Sequence, residues 1–305
     1  MLVIVCPGQG SQTPGFFSPW LEIPEFKQTI ELASSASGLD LATFGTISDA
    51  DTIRDTAIAQ PLIVSASLAS FAALNARGLP ESFGTAGHSV GEVAAASIAN
   101  IFDVETAMKF VTKRGTEMAL AANASESSMA AVLGGDQDEV VSDLASRGLS
   151  PANYNGSGQI VAAGSKEKVA ALVQEPLAGT RAVQLQVAGA FHTEFMQPAV
   201  SELENYAGDL AISQPSRTIW SNQNGQQVSS GKQYLELLVS QVSNPVRWDL
   251  CMQTMVTAGV TALIELSPAG TLAGLAKRGM PGIEILALKT PDQLDSAIEL
   301  AKNHA

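Results

Sequence analysis

Short apolar runs alternate with segments of helical period along nearly all of this 305-residue chain, and the alternation is interrupted once. Leu2 to Cys6 reads as a strand that ends in a tight loop, "PGQGSQ". Residues 59 to 77 read as a long helix with Pro61 in its first turn, and weak strand residues then lead into "GHSVGEVAAASIANIF", a turn and a small-residue helix. A further helix covers 103 to 120. Beyond residue 190 come a helix near 193 to 208, strand "RTIWSN", helices near 232 to 242 and 246 to 258, strand "TALIEL", helix "TLAGLAKR", strand "IEILAL" and a last helix. Strands separated by helices call for a mostly parallel sheet covered on both faces. The interruption, residues 127 to 189, runs βαββαβ, the split-βαβ or ferredoxin-like order.

Composition excludes several classes of protein. No apolar run reaches the length of about 18 residues expected of a membrane span. The two cysteines, Cys6 and Cys251, give no disulfide framework or metal site, which fits a reducing cytoplasm. A net charge of −13 argues against a nucleic-acid partner, because phosphate binding needs a basic face. An anionic ligand would have to be met by local positive groups.

"GHSVG", residues 87 to 91, fits G-x-S-x-G between a strand and a helix. There a sharp turn exposes the serine hydroxyl, so Ser89 is the candidate nucleophile. With this elbow, the expected fold is a large α/β-hydrolase-like core (1–126 and 190–305) carrying a small ferredoxin-like subdomain (127–189). A serine needs a base, and the chain has three histidines. His304 is at a terminus and His88 adjoins the serine on the opposite side of the turn, which leaves His192. No Asp or Glu stands out as its partner; a neutral acceptor would also orient the ring. For the oxyanion, Val90 offers one N–H, and Gln9, in the loop after the first strand, is a candidate for the second.

Arg114 lies on the apolar stripe of its helix, with Ala107, Phe110, Val111 and Met118. An unpaired buried guanidinium is costly, so it requires a carboxylate, either the ligand's or the protein's own as an internal ion pair. Gly115 beside it costs the helix about 1 kcal/mol and would leave room for a ligand.

Seven motifs, "PGQGSQ", "GHSVGE", "RGTEM", "NYNGSGQIVAAG", "GAFHTEFM", "QVSNPVRW" and "SPAGTLAGLAKR", occur in the order found in one family. With them the chain resembles the malonyl-CoA:acyl carrier protein transacylases of bacterial type II fatty acid synthesis. The resemblance implies ping-pong transfer of malonyl from malonyl-CoA to the carrier's phosphopantetheine thiol, through an ester on Ser89 with His192 as base. It implies Gln9 and Val90 as oxyanion donors, and Arg114 as the clamp for the malonyl carboxylate. It further implies an orienting carbonyl for His192 at Gln241, and Met118, Asn155, Phe191 and His88 near the acyl pocket. Phe191 matches malonyl-selective members. Ser267 and Ala269 replace glycines of the family's "GPG" turn. CoA and phosphopantetheine belong to the substrates, so no cofactor or metal is implied. A cytoplasmic monomer without membrane or nucleic-acid partner is expected, with Lys113, Lys277 and Arg278 as candidate contacts for an acidic carrier. The competing reading is a serine hydrolase or thioesterase acting on acyl-CoA, which explains Ser89 and His192 and leaves Arg114 without a task.

Overall fold

A computed structural model describes residues 1–305. Strand β1 (Leu2–Cys6) is buried on both faces, as a run of purely apolar residues in a parallel sheet must be. Two helices that the sequence pattern did not reveal follow it, α1 (Pro24–Ser37) and α2 (Leu41–Thr46). Next comes α3 (Thr56–Ala76), which begins earlier than the pattern indicates. Asp55 caps it by accepting the Ala57 N–H, so Pro61 falls in the second turn, inside the helix. By length and composition α3 is apolar enough to cross a membrane, contrary to expectation, but 78% of its apolar window is buried within the fold. It is a core helix.

The chain continues through β2 (Phe83–Gly87), α4 (Gly91–Ile98) and α5 (Val104–Asn123). The interrupting segment then supplies β3 (Ser127–Leu133), α6 (Gln137–Ser146), β4 (Ser150–Gly156), β5 (Gln159–Ser165), α7 (Lys166–Gln174) and β6 (Arg181–Gln184). After it come α8 (Gln197–Ala207), α9 (Gly231–Ser240), β7 (Val246–Arg247), α10 (Trp248–Thr257), β8 (Ala262–Glu265), α11 (Thr271–Gly279), β9 (Glu284–Ala287) and α12 (Leu294–His304).

Two sheets result. The first is parallel throughout, in the order β2-β1-β8-β9. The second has the order β6-β3-β5-β4-β7 and encloses its own apolar cluster, including Val132, Val140, Leu144, Ile160, Val169 and Leu172. Its first four strands have the antiparallel order of the ferredoxin-like unit. The fifth, β7, comes from outside the segment and pairs in parallel with Asn153 and Tyr154 of β4. "RTIWSN" does not form a full strand. It makes only single bridges, Ile219 to Thr85 and Trp220 to Gln227, because the chain leaves the sheet to carry Asn222 under the β2–α4 turn.

Candidate active site

Ser89 sits between β2 and α4 with φ 52°, a strained backbone for a residue with a side chain. The close approach depends on its glycines. A Cβ on Gly87 would lie 2.0 Å from the Gly91 carbonyl carbon, and one on Gly91 would lie 2.2 Å from the Cys6 oxygen. Asn222 holds the turn on both sides: its Oδ1 accepts the Ser89 N–H at 2.8 Å, and its Nδ2 donates to the Gly87 carbonyl at 2.8 Å.

His192, also at positive φ (62°), places Nε2 2.7 Å from the Ser89 hydroxyl oxygen. Its Nδ1 lies 2.8 Å from the main-chain carbonyl of Gln241. A carbonyl only accepts, so the proton is assigned to Nδ1, and Nε2 is left with a lone pair facing the serine. Burial, and next the charge of Arg114, push the imidazole down to about 3. It is neutral at physiological pH and able to take a proton from the hydroxyl.

The loop after β1 lies against this turn, with the Gly8 Cα so near His88 that a Cβ would be 2.9 Å from its Nδ1. Neither the Gln9 nor the Val90 N–H has a hydrogen-bond partner within the protein, whereas the neighbouring Gly10 and Gly91 N–H groups do. The Gln9 side chain points away, to the Arg54 carbonyl and the Thr56 hydroxyl. Two unengaged backbone donors at the carboxyl ends of adjacent strands suit a developing oxyanion.

Arg114 is fully buried, as its place on the stripe requires. Its partners within the protein are amide oxygens, not the carboxylate of an internal ion pair. Nη1 donates to Gln60 Oε1 at 2.6 Å and Nη2 to Gln241 Oε1 at 2.9 Å, while Nε has no partner. No carboxylate lies within ion-pair distance; Glu92 is reached only through the Gln241 amide. Burial lowers the guanidinium to about 10, against the opposing pull of Glu92. Met118 contributes indirectly, its sulfur accepting Gln60 Nε2 at 3.3 Å. Gly115 leaves no space for a ligand. A Cβ there would come 2.9 Å from the Thr56 carbonyl oxygen of α3, so the glycine lets α3 and α5 close together and brings Gln60 to Arg114.

His88 does not point idly away from the site. Its Nε2 lies 3.0 Å from Asn155 Oδ1, and its ring packs edge-on against Trp248, with centroids 5.8 Å apart. Phe191 is buried beside His192. All ten residues expected from the sequence therefore occupy the same region or contact one another, and no group of three or more His, Cys, Asp or Glu side chains is placed to hold a metal ion.

A family model described as "Acyl transferase domain" matches residues 3–294. The chain belongs to this acyl transferase family. It is 45% identical over 302 residues to the malonyl CoA-acyl carrier protein transacylase of Mycobacterium tuberculosis H37Rv, covering 98% of this chain and all of that one. Its fold matches the crystal structure of MCAT from the same species with a TM-score of 0.94, at 46% identity and 99% coverage of both chains. It also matches a malonyl-transacylase solved in complex with its type II PKS acyl-carrier protein, with a TM-score of 0.93, 28% identity and coverage of 98% and 99%.

Three residues of this acyl transferase site escaped sequence reasoning: Gln60, Glu92 and Asn222. Gln60 is the one buried amide of α3, whose other buried polar side chains are the small hydroxyls of Thr56, Ser65, Ser67 and Ser70, and its size was its only signal. Glu92 stands inside the quoted "GHSVGE" motif, where a carboxylate buried in the first turn of α4 could have drawn attention. Asn222 ends a strand-like stretch and offers no pattern.

Proposed function

We propose that this acyl transferase moves malonyl from malonyl-CoA to the phosphopantetheine thiol of an acyl carrier protein, through an ester on Ser89. The observation that carries the reading is the fully buried Arg114 guanidinium, one glutamine away from the Ser89–His192 pair and bonded only to neutral oxygens. A dicarboxylic acyl chain would supply the missing anion, and an acetyl group would not. A hydrolase gives that residue nothing to do. The names of the relatives, and the solved complex with a carrier protein, support both substrates.

In the first half-reaction His192 Nε2 takes the Ser89 proton as the hydroxyl oxygen attacks the thioester carbonyl. The Gln9 and Val90 N–H groups face the oxyanion, and the tetrahedral intermediate collapses to malonyl-serine while the imidazolium gives its proton to the CoA sulfur. In the second half-reaction the carrier's thiol passes its proton to Nε2, attacks the ester, and Ser89 leaves with that proton. No cofactor takes part. We assign residues 127–189 to a small subdomain that forms one wall of the cleft, and the reaction to the cytoplasm. For the acidic carrier, Lys277 and Arg278 at the exposed end of α11 fit better than Lys113, which is already paired with Glu117 and Glu202.

Intact-mass measurement after mixing with malonyl-CoA tests the reading. The chain should gain one malonyl group, lose it on adding holo carrier protein, and gain none as Ser89→Ala. An unmodified wild-type chain, or rapid CoA release with no thiol acceptor present, would refute it.

A further inference from the structure

Glu92 is a fully buried carboxylate three residues beyond Ser89, in the first turn of α4. Its Oε1 accepts the main-chain N–H of Asn222 at 2.7 Å, and its Oε2 accepts Nε2 of Gln241. That second bond decides how the Gln241 amide faces. With Nε2 held by Glu92, and by Asn222 Oδ1 at 3.3 Å, Oε1 is turned toward Arg114. The main-chain oxygen of the same glutamine receives the Nδ1–H of His192. Asn222, held by Glu92, itself holds the Ser89 N–H. Three parts of the site thus meet at one carboxylate: the serine turn, the base and the guanidinium.

Its separation from Arg114 matters as much as its bonds. A carboxylate placed directly on the guanidinium would occupy the groups a substrate needs. With no counter-charge at all, the buried cation would be very costly. One intervening amide satisfies both conditions, giving charge balance at a distance and leaving only neutral oxygens on Arg114 for a ligand to displace. Burial raises the Glu92 carboxyl, while the Asn222 N–H and then the charge of Arg114 pull the other way. The groups bonded to it are donors, which favour the ionised form.

We propose that Glu92 is the positioning residue of the acyl clamp: it turns the Gln241 side-chain oxygen to Arg114, and balances Arg114 without covering it. The proposal rests on the malonyl-transfer reading.

The test compares serine acylation rates from malonyl-CoA and from acetyl-CoA, by quenched-flow intact mass on the full chain. Wild type, Glu92→Gln, Gln241→Ala and the double variant are needed. Glu92→Gln keeps the shape and removes the charge, and should slow malonyl loading about 10- to 100-fold, as loss of an orienting partner does. Acetyl loading should fall far less. In the Gln241→Ala background the same change should alter malonyl loading by no more than about twofold, because residues acting through one another are not additive. Equal slowing of both acyl groups, an unchanged malonyl rate, or full additivity with Gln241→Ala would overturn the proposal. Should Glu92→Gln fail to fold, Gln241→Glu reads the same point by putting a carboxylate directly on Arg114. It should suppress malonyl loading selectively, and equal loss of both acyl groups would overturn the proposal. A wild-type chain that takes up no acyl group would refute the transferase reading and this proposal with it.

Discussion

Replacing Arg114 with alanine should change which acyl group the protein accepts more than how fast it works. The guanidinium makes two hydrogen bonds to amide oxygens, at 2.6 and 2.9 Å, and keeps its Nε–H unengaged. A malonyl carboxylate gains that third donor outright and exchanges a neutral acceptor for an ionic one at one other. Breaking a buried, hydrogen-bonded charge pair costs about 3–5 kcal/mol. With Nε free, the carboxylate need displace only one amide oxygen, and such a bond to a charged group is worth about 1.5–3 kcal/mol, so the usable part is roughly 1–3 kcal/mol. At about 1.4 kcal/mol per decade, malonyl loading should fall roughly 10- to 100-fold. Collateral damage is limited, because without Arg114 the buried Glu92 loses a charge that opposes its upward shift, so burial holds it in the uncharged form. Acetyl loading should then be nearly unchanged. The assay is competition between equal concentrations of malonyl-CoA and acetyl-CoA, read as the ratio of the two acyl-serine masses. General distortion of the site lowers both rates and leaves the ratio alone. An unchanged ratio would refute the carboxylate clamp, however inactive the variant.

Asn222→Ala leaves the Ser89 N–H and the Gly87 carbonyl without their partner, so it should cost about 1–3 kcal/mol in denaturant unfolding and slow acylation by both CoA esters; an unchanged unfolding midpoint would count against the staple. Because His192 titrates near 3 instead of the ordinary 6.5, kcat/KM for loading should show no histidine limb between pH 5 and pH 7. Malonate on Arg114 cancels a repulsion that favours the neutral ring, so the limb in kcat should lie at higher pH than that in kcat/KM; the reverse order would refute this account. The same depression makes the stability contributed by His192 complete above its unfolded value of about 6.5 and lost as pH falls toward 3, which acid titration of wild type against His192→Ala would show. Gly115→Ala should destabilise the fold by about 1–3 kcal/mol through overpacking against the Thr56 carbonyl, despite the better helix propensity of alanine, and should raise KM for malonyl-CoA by shifting Gln60. A stabilised variant with unchanged KM would show that α3 and α5 have slack.

What the sequence made legible was what violates or completes a local pattern. Arg114 stood out as a charge on an apolar stripe, Ser89 as a serine between spaced glycines, and His192 as the one histidine free to serve. The βαββαβ run was readable for the same reason, since each element carries its own period and its turns are marked by glycine. Partners were not readable. Gln60 meets Arg114 across 54 residues of chain, and Glu92 meets Gln241 across 149. A polar misfit such as Gln60 hints at burial, but nothing local names the residue it will meet. Gly115 was misread for a related reason: the helix it accommodates, α3, is invisible from within α5. "RTIWSN" has strand chemistry, yet only one bridge per neighbour forms, because the demand for Asn222 under the serine turn outweighs the local preference.

The two residues of β7 bind the cleft together in a way that bears on how substrates come and go. Val246 and Arg247 pair with Asn153 and Tyr154, so the chain leading from Gln241 and the strand bearing Asn155 belong to one hydrogen-bonded sheet. Trp248 follows directly and packs on His88, which bonds back to Asn155. Swinging the two walls apart would break backbone pairing and this contact together. The transfer proposed above would therefore have to thread a slender thioester arm between walls that stay paired, rather than wait for them to part.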